Sequence, residues 1–181
     1  MQRLKELYQN EVANKLKTQF KLQSTMQVPR LEKIVVNSGI GAFKDNKEAV
    51  DAFLTEFTGI VGQKPYPTIA RKSEAGFKIR KGETVGFAVT LRGDRMWAFL
   101  DKLVSVAIPR IRDFRGLKAT SFDEAGNYSL GIVEHVIFPE VNPNTVKGIR
   151  SLQVTVVSSS KDKKLNKALL DSLGVPFVKE N

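Results

Sequence analysis

Residues 84–117, TVGFAVTLRGDRMWAFLDKLVSVAIPRIRDFRGL, carry the signals of a strand, a helix and a basic turn in succession. In residues 84–91 apolar side chains alternate with small or polar ones, which is the pattern of a strand with one buried face. Asp94 then precedes an apolar stripe at helical spacing, and it is predicted to cap a helix that Pro109 stops. The stripe consists of Met96, Phe99, Leu100, Leu103, Val104 and Ala107.

Three arginines follow this helix within six residues: Arg110, Arg112 and Arg115. The guanidinium group presents several donors in a planar fork that matches phosphate geometry. Phosphate contacts of this kind position a protein on a nucleic acid. The three arginines are therefore candidate RNA contacts.

The charge of the whole chain points to the same class of partner. Its 181 residues include 29 Lys and Arg against 19 Asp and Glu, so the formal net charge is 29 − 19 = +10. A polyanion is the natural partner of such a chain. The alternative is a basic charge that serves only solubility, and the positions of the charges must decide between the two.

The composition removes several kinds of chemistry. The chain has no cysteine and a single histidine, His135. Disulfides, thiolate catalysis and cysteine zinc sites are therefore excluded. One imidazole leaves little material for a catalytic triad or a histidine metal cluster, so we expect neither a metal site nor a cofactor.

The N-terminal region predicts a cytoplasmic protein without a membrane partner. No apolar run approaches the ~20 residues of a membrane span, and MQRLKELYQN is polar where a secretory signal is apolar. Residues 1–22 are predicted to form an amphipathic helix, because apolar residues recur every three or four positions. Binding of this helix to a membrane surface is disfavoured, since Glu6 and Glu11 dilute its charge.

Residues 31–36 predict a strand that ends in a turn formed by residues 37–41, NSGIG. The glycine pair matches part of a dinucleotide-binding fingerprint, but Lys44 occupies the third glycine position, so cofactor binding is disfavoured. Asp45 and Glu48 are expected to form a capping pair for the next helix.

Residues 71–82, RKSEAGFKIRKG, form a predicted loop between two strands, and the strand before it is expected at the edge of a sheet. The loop holds five basic residues and one acidic residue, so its net charge is 5 − 1 = +4. Two interpretations are open, a solvated charge run and an arm that reaches a nucleic acid. We favour the second.

Residues 129–138 predict a further strand, continuous or broken, and residues 152–157 predict the last one. A final helix is expected over residues 161–173, with Ser160 as its cap. Helices thus alternate with strands of alternating rather than continuous apolar character. This order favours one α+β domain over residues 1–181, with an antiparallel or mixed sheet and helices on one face.

Two residue pairs in this half imitate catalytic spacings. Glu134 and His135 are adjacent, but neighbouring side chains on a strand point to opposite faces, so structural roles are favoured over acid–base chemistry. Ser158 and Lys161 are spaced like a serine–lysine nucleophile pair, yet no companion motif accompanies them. Neither pair supports an enzyme.

Several blocks of sequence, taken together and in this order, resemble a known family. They are PRLEKIVVNSGIG from Pro29, GQKP from Gly62, ARKSEAGFKIRKG from Ala70, VTLRGDRMWAFLDKL from Val89, PRIRDFRGL from Pro109, GNYSLGI from Gly126 and IFPEV from Ile137. The family is large-subunit ribosomal protein five in its bacterial form, the ribosomal protein that binds 5S ribosomal RNA. The resemblance extends from the first helix to the C-terminus.

The resemblance implies a fold and a function. The fold is an RRM-like antiparallel sheet backed by helices, and the function is that of a non-enzymatic protein in the central protuberance of the large ribosomal subunit. In this family the turn after the first strand and polar sheet positions bind 5S RNA. The matching residues here are Lys33, Asn37, Gln63, Thr90 and Arg92. Further implied partners are 23S ribosomal RNA, as a candidate, and neighbouring 5S-binding ribosomal proteins.

Two other contacts follow from the resemblance. The loop that matches residues 72–82 reaches peptidyl-site transfer RNA in this family, and the implied contacts are Lys72, Ser73, Gly76, Phe77, Lys78, Arg80 and Lys81. The region that matches residues 134–147 touches a small-subunit protein across an intersubunit bridge. Its candidates here are Glu134, His135, Asn142, Asn144 and Lys147.

The chain departs from the family pattern at a few positions. Ala88 stands where lysine is usual, which removes one cation from the implied RNA face. Val133 and His135 replace a commoner arginine and glutamine, and residues 150–153, RSLQ, replace the usual RGLD. These departures affect local contacts, chiefly near the bridge.

Two other classes of function compete with structural RNA binding. An RNA-acting enzyme would want clustered carboxylates for metal or a histidine pair, whereas Asp94, Asp101 and Asp113 are better explained as a cap, a helix surface and an arginine partner. A peripheral membrane protein would bind anionic vesicles as well as it binds RNA.

Overall fold

The computed structural model describes residues 3–143, 146 and 148–178. The strands in this part of the chain are β1 (Leu31–Gly39), β2 (Tyr66–Ile69), β3 (Thr84–Leu91), β4 (Tyr128–Ile132) and β5 (Leu152–Ser158). They form a five-stranded antiparallel sheet in the order β2-β3-β1-β5-β4. The α+β class is confirmed, with an antiparallel rather than a mixed sheet, and β2 lies at an edge as predicted.

The helices are α1 (Arg3–Leu7), α2 (Ala13–Gln19), α3 (Lys47–Val61), α4 (Gly93–Lys102) and α5 (Lys163–Ser172). A π-helical turn, Tyr8–Val12, joins α1 to α2, and another, Leu103–Ala107, continues α4. The short 3-10 turns are Thr25–Gln27, Ala75–Phe77, Ile108–Arg110, Ala119–Ser121 and His135–Ile137. Pro109 lies in the turn that closes the α4 segment, as its sequence position predicts.

The chain divides into two compact units. The first comprises the described residues of Met1–Ile34, Leu91–Leu130 and Thr155–Asn181, and the second comprises those of Val35–Thr90 and Gly131–Val154. Each unit has its own fully buried apolar side chains. In the first these include Leu16, Ala107 and Leu169, and in the second they include Phe57, Val89 and Phe138.

In the first unit the N-terminal helix packs beside α4. Tyr8 and Trp97 stack at a tilt with ring centroids 5.7 Å apart. The Arg3 guanidinium donates to the Asp101 carboxylate at 2.5 Å and to the Ser105 hydroxyl at 2.8 Å. The hydrogen bond from Arg3 holds the pKa of Asp101 below its usual range. These contacts place a predicted amphipathic helix on the protein rather than on a membrane surface.

The expected capping role of Asp94 is wrong. Helix α4 begins two residues earlier than predicted, at Gly93, with Arg92 at its N-cap position and no side-chain capping bond. The Asp94 carboxylate instead accepts a hydrogen bond from Lys5 Nζ at 2.7 Å, which lowers the pKa of Asp94. The Asp94 carboxylate is therefore bonded to a lysine of the N-terminal helix and not to the main-chain N–H groups of α4, as the local sequence had predicted.

Two further caps lie one or two residues from their predicted positions. The N-cap of α3 is Asn46 rather than Asp45, and its side chain accepts from a main-chain N–H of the first turn at 3.1 Å. The N-cap of α5 is Asp162 rather than Ser160, and it accepts from a first-turn N–H at 2.8 Å. Adjacent Asp, Asn and Ser residues have similar capping ability, so the entry angle of the chain decides among them.

The second unit is built on α3, whose buried side carries Phe53 and Phe57. Their rings stack with centroids 5.6 Å apart. Gly62 ends the helix in the left-handed conformation, at φ 67°, which glycine adopts without a side-chain clash. The imidazole of His135 packs edge-on against Phe53 at 6.0 Å.

His135 is completely buried, and its hydrogen bonds are all satisfied. Nδ1 accepts the main-chain N–H of Arg150 at 3.1 Å, so in the neutral ring Nε2 carries the proton and donates to the Glu56 carboxylate at 3.0 Å. The same two residues are also bonded through their main chains, since the His135 N–H donates to the Arg150 carbonyl at 3.0 Å. The favoured structural role of His135 thus has a specific form, a clasp between α3 and the segment that leads into β5.

One predicted strand boundary needs correction. Strand β1 extends to Gly39, so residues 37–39 belong to the strand and not to a turn. For residues 129–138 the structure confirms the broken alternative, because β4 ends at Ile132 and His135 begins a 3-10 turn. Among the described residues, no helix is both long and apolar enough to span a bilayer.

Candidate RNA-binding surface

One face of the sheet in the second unit carries the polar residues that the sequence assigned to RNA. Val36 of β1 and Val89 of β3 are fully buried and therefore mark the core face. Because successive strand residues point to opposite faces, Asn37, Ala88 and Thr90 lie on the other face. Strands β1 and β3 are neighbours in the sheet, so these three positions share one surface.

Asn37 is exposed and lies within β1, two residues before the strand ends. This position corrects the expectation that it lies in a turn. A strand fixes the direction of the side chain more firmly than a turn does, because the neighbouring strand holds its backbone. The amide is therefore presented from a rigid element, as suits hydrogen bonding to a phosphate or a base edge.

Gln63 and Thr90 meet although they are far apart in sequence. Gln63 follows the left-handed Gly62 at the end of α3, and its Nε2 donates to the main-chain carbonyl of Thr90 at 3.4 Å. Both side chains are half-buried. The structure thus brings together two of the residues assigned to 5S RNA, at the end of β3.

The two charged neighbours assigned to the same RNA belong to the first unit. Lys33 is half-exposed on β1. Arg92 is exposed between β3 and α4. Both cations are accessible to a phosphate.

Tyr66 is a candidate contact that the sequence did not reveal. In the β2–β3 pair Tyr66 lies directly opposite Ala88, so the two side chains point to the same face. The Tyr66 side chain is 53% exposed, whereas Ala88 is 4% exposed. An exposed ring beside polar groups is the kind of platform on which an unpaired base stacks. In the sequence, the orientation of Tyr66 could have been read only from the alternation of side chains along β2. That pattern is hard to recognise, because the strand is short and contains a proline.

The basic loop between β2 and β3 is closed by its own hydrogen bonds. At the tip, Glu74 and Ile79 exchange two main-chain bonds of 2.9 and 3.1 Å. At the base, the Ala70 N–H donates to the Glu83 carbonyl at 2.8 Å. The Lys81 N–H donates to Ser73 Oγ at 2.9 Å between these two points. The loop is therefore an ordered hairpin-like arm and not an adaptable linker.

The side chains assigned to transfer RNA project from this arm. Lys72, Ser73, Gly76, Phe77, Lys78, Arg80 and Lys81 are all exposed. Phe77 is 75% exposed at the tip, within the 3-10 turn Ala75–Phe77. Of the two glycines in the loop, Gly82 takes a positive φ of 88°, whereas Gly76 does not. Sequence reasoning thus located the exposed cations correctly but not the order of the backbone beneath them.

The carboxylate of Glu83 lies at the root of this arm and is already engaged. It accepts from Lys44 Nζ at 2.9 Å and from the Arg80 N–H at 2.9 Å. Together these hydrogen bonds hold the pKa of Glu83 below its usual range, and the bond from the Arg80 main chain contributes most. The carboxylate at the root of the arm is thus paired with a lysine that lies outside the arm.

The three arginines after α4 are exposed in the first unit, as a phosphate contact requires. Arg110 closes the 3-10 turn, and Arg112 and Arg115 follow it on either side of Asp113. Asp113 has a left-handed φ of 54°, which turns the chain between them. The cluster is accessible to a phosphate backbone.

The region assigned to the intersubunit bridge is only partly exposed. Glu134 and Asn142 lie at the surface, together with Val133, which is 77% exposed. His135 offers no surface to a partner protein, because its ring is completely buried. Asn144 and Lys147 lie outside the described residues. We therefore leave His135 out of the bridge surface.

Among the described residues, no group of three or more His, Asp or Glu side chains could hold a metal ion. The three aspartates considered for metal are separately occupied or dispersed, since Asp94 pairs with Lys5 and Asp101 with Arg3. The carboxylates of Asp94 and Asp101 are thus engaged in ion pairs within the first unit.

Comparison with known proteins supports this interpretation. Residues 24–80 match the family model described as ribosomal protein L5, and residues 84–177 match the model of the C-terminus of the same ribosomal family. The chain is 49% identical over 180 residues to a large ribosomal subunit protein uL5 from Colwellia psychrerythraea, with 99% of each chain covered. It is 49% identical over 176 residues to the protein of that name from Ureaplasma urealyticum, with 97% of this chain and 96% of the other covered.

Proposed function

Because this chain belongs to the ribosomal protein L5 family and is a structural constituent of the large ribosomal subunit in the cytoplasm rather than an enzyme, we propose that it binds 5S ribosomal RNA and helps to attach it to the central protuberance. We propose further that residues 1–181 act as one RNA-binding domain. The two matched regions together account for most of the chain.

The observation that carries the 5S proposal is the hydrogen bond between Gln63 and Thr90 at the end of β3. Thr90 lies on the same outer face of the sheet as Asn37 of the neighbouring strand β1. Amide and hydroxyl groups at fixed positions can donate to and accept from RNA sugars and bases. Lys33 and Arg92 add charge that attracts the phosphates. Tyr66 adds a surface on which a base can stack.

A second contact is proposed for the arm formed by residues 70–83. Its exposed Lys72, Lys78, Arg80 and Lys81 can meet a phosphate backbone without reading its sequence. We propose that this arm contacts peptidyl-site transfer RNA. The ordered arm supports this role, because it holds several cations in exposed positions on a fixed backbone.

Two interfaces complete the proposal. The exposed Glu134 and Asn142 form the surface proposed to meet a small-subunit protein across an intersubunit bridge. The exposed arginines Arg110, Arg112 and Arg115 are proposed contacts for 23S ribosomal RNA. Neighbouring 5S-binding ribosomal proteins remain proposed partners.

The experiment that tests the 5S proposal is capture of the full chain from cell extract, followed by sequencing of the bound RNA. We expect enrichment of 5S RNA over transfer RNA and over 5S-sized fragments of other RNAs. Purified chain should then bind transcribed 5S RNA without cleaving it. Recovery of another RNA alone, cleavage of the transcript, or equal binding to anionic vesicles would contradict the proposal.

A further inference from the structure

Lys44 lies between β1 and α3, yet its ammonium group reaches the basic arm across 34 and 39 residues of sequence. Its side chain is only 9% exposed, which is unusual for a lysine. Nζ donates to the main-chain carbonyl of Lys78 and to the Glu83 carboxylate, the latter at 2.9 Å. One largely covered cation therefore bonds both to the tip side and to the root of the arm.

The hydrogen bond from Lys44 reaches the arm at a residue with an unfavourable backbone conformation. Lys78 has a left-handed φ of 52°, which a residue with a side chain adopts at a cost. Its carbonyl accepts a charge-assisted hydrogen bond from Lys44, which is stronger than a neutral one. The other oxygen of the Glu83 carboxylate accepts from the Arg80 N–H at 2.9 Å. A chain of hydrogen bonds thus connects Lys44 to two successive points of the arm.

The same contact sets the charge that the arm presents. A free Glu83 carboxylate would stand beside Arg80 and offset part of its positive charge. The ion pair with Lys44 neutralises the Glu83 carboxylate, so the positive potential of the exposed Lys78, Arg80 and Lys81 is not reduced by it. Lys44 therefore contributes, from outside the arm, both to the order of the arm and to the charge that it presents.

We propose that Lys44 is a positioning residue, which holds the arm of residues 70–83 in the conformation that presents its cations to transfer RNA. The proposal rests on the proposed function of the arm, and it goes beyond it by assigning a role to a residue outside the arm. Holding the arm in place before binding reduces the ordering cost of the complex. The ammonium group of Lys44 is covered by the arm and does not contact the RNA.

The test compares Lys44→Met with a matched control, Lys47→Met. Met keeps most of the aliphatic length of lysine and removes its charge and its donors. Lys47 is exposed and, with Lys44, Asp51 and Glu83, lines one groove of the second unit. It makes no ion pair or hydrogen bond within the described residues. Each variant therefore removes one positive charge from the same region, but only the first removes the link to the arm.

The first readout is amide hydrogen exchange of the free full-length chain. Protection of the Ile79, Arg80 and Lys81 amides should fall by about tenfold or more in Lys44→Met, which is the scale of one lost charge-assisted hydrogen bond. Amides of β1 and α3 should keep their protection. Unchanged exchange in the arm would overturn the proposal. If Lys44→Met fails to fold, Glu83→Gln tests the same link from the arm, and unchanged exchange there overturns it equally.

The second readout is the titration of Glu83, followed through the chemical shift of the Arg80 amide. The charged groups near Glu83 are Lys44 and Arg80, and Lys47 and Asp51 line the same groove. The midpoint should move up toward an ordinary glutamate value in Lys44→Met and stay in place in Lys47→Met. A role of the Lys44 stem in packing alone would leave the midpoint unchanged, and that result would overturn the proposal.

The third readout is the affinity of peptidyl-site transfer RNA for ribosomes carrying each variant, beside a triple variant with Lys78, Arg80 and Lys81 changed to alanine. We expect weaker binding for Lys44→Met, by about threefold or more, and for the triple variant, but not for Lys47→Met. Weakening by the triple variant alone overturns the role of Lys44 while the function of the arm stands. No weakening by either overturns the proposed function of the arm itself.

Discussion

The side-chain amide of Gln63 donates to the main-chain carbonyl of Thr90 at 3.4 Å, across 27 residues of sequence. The bond joins the loop after α3 to the last part of β3. It leaves the Thr90 hydroxyl, rather than its carbonyl, as the group available to an RNA. This geometry makes the two residues one functional element of the proposed 5S site.

Alanine at the polar positions should weaken 5S binding. We expect Asn37→Ala and Thr90→Ala each to cost roughly 1 kcal/mol or more of binding free energy, because an RNA group loses its partner. Filter binding or calorimetry with transcribed 5S RNA measures the change. Matched controls are Asn14→Ala and Thr55→Ala, which lie on exposed helix surfaces and should bind normally. Full affinity in folded Asn37→Ala and Thr90→Ala proteins would remove both residues from the site.

Binding of 5S RNA should depend steeply on salt. With about five phosphate contacts, the slope of log affinity against log salt should be near −4, between the single- and double-strand values. Replacing either Lys33 or Arg92 with alanine should make that slope shallower by about one unit, because each variant loses one phosphate contact. A wild-type slope flatter than about −1 is incompatible with an electrostatic interface.

Tyr66→Leu should weaken 5S binding without changing the salt slope. Stacking of a base on an aromatic ring contributes about 1–3 kcal/mol and involves no counterion, so we expect a loss of about 1 kcal/mol. Tyr66→Phe keeps the ring and should retain most of the affinity. Phe77→Leu, at the tip of the arm, is the matched control for an exposed aromatic and should leave 5S binding intact. Equal losses for leucine and phenylalanine at position 66 would assign the effect to the hydroxyl instead.

The clasp around His135 should matter for stability. His135→Leu leaves the Arg150 N–H and the Glu56 carboxylate without their partner, so we expect the free energy of unfolding to fall by about 2 kcal/mol or more. His135→Gln can restore part of the pairing and should cost less. Urea denaturation with a common m-value measures both. A leucine variant as stable as the parent would show that the buried hydrogen bonds contribute nothing net.

The docking of the N-terminal helix should weaken in acid. The pKa of Asp101 is lowered by its hydrogen bond from Arg3, so the carboxylate stabilises the folded state above the unfolded pKa and loses this contribution as the pH falls through the folded pKa. Asp101→Asn should remove that pH dependence and cost about 0.5 kcal/mol at neutral pH, since Arg3 is largely exposed. Unfolding measured between pH 7 and about pH 2 tests this, with the exposed Asp51→Asn as control. The same pH profile in parent and Asp101→Asn would contradict the prediction.

Local patterns in the sequence were sufficient to predict the type and order of the main elements, the class of partner and the family. Strand β3 could be assigned from residue 84 to residue 91 because the alternation of side chains is a local property of the chain. The position of the basic arm followed equally from a local cluster of charge. Family motifs located Gln63 and Thr90, but they did not show that the two residues are bonded to each other.

Contacts between groups far apart in sequence could be identified only in the folded chain. Asp94 lost its expected capping role because Lys5, 89 residues away, lies beside it. Tyr66 became a candidate RNA contact through the register of β2 with β3, and Lys44 was linked to the arm through bonds across 34 and 39 residues. Local propensities fix the backbone of single elements, whereas register, burial and ion pairing depend on how apolar surface is removed from water over the whole fold, and neighbouring sequence does not encode that balance.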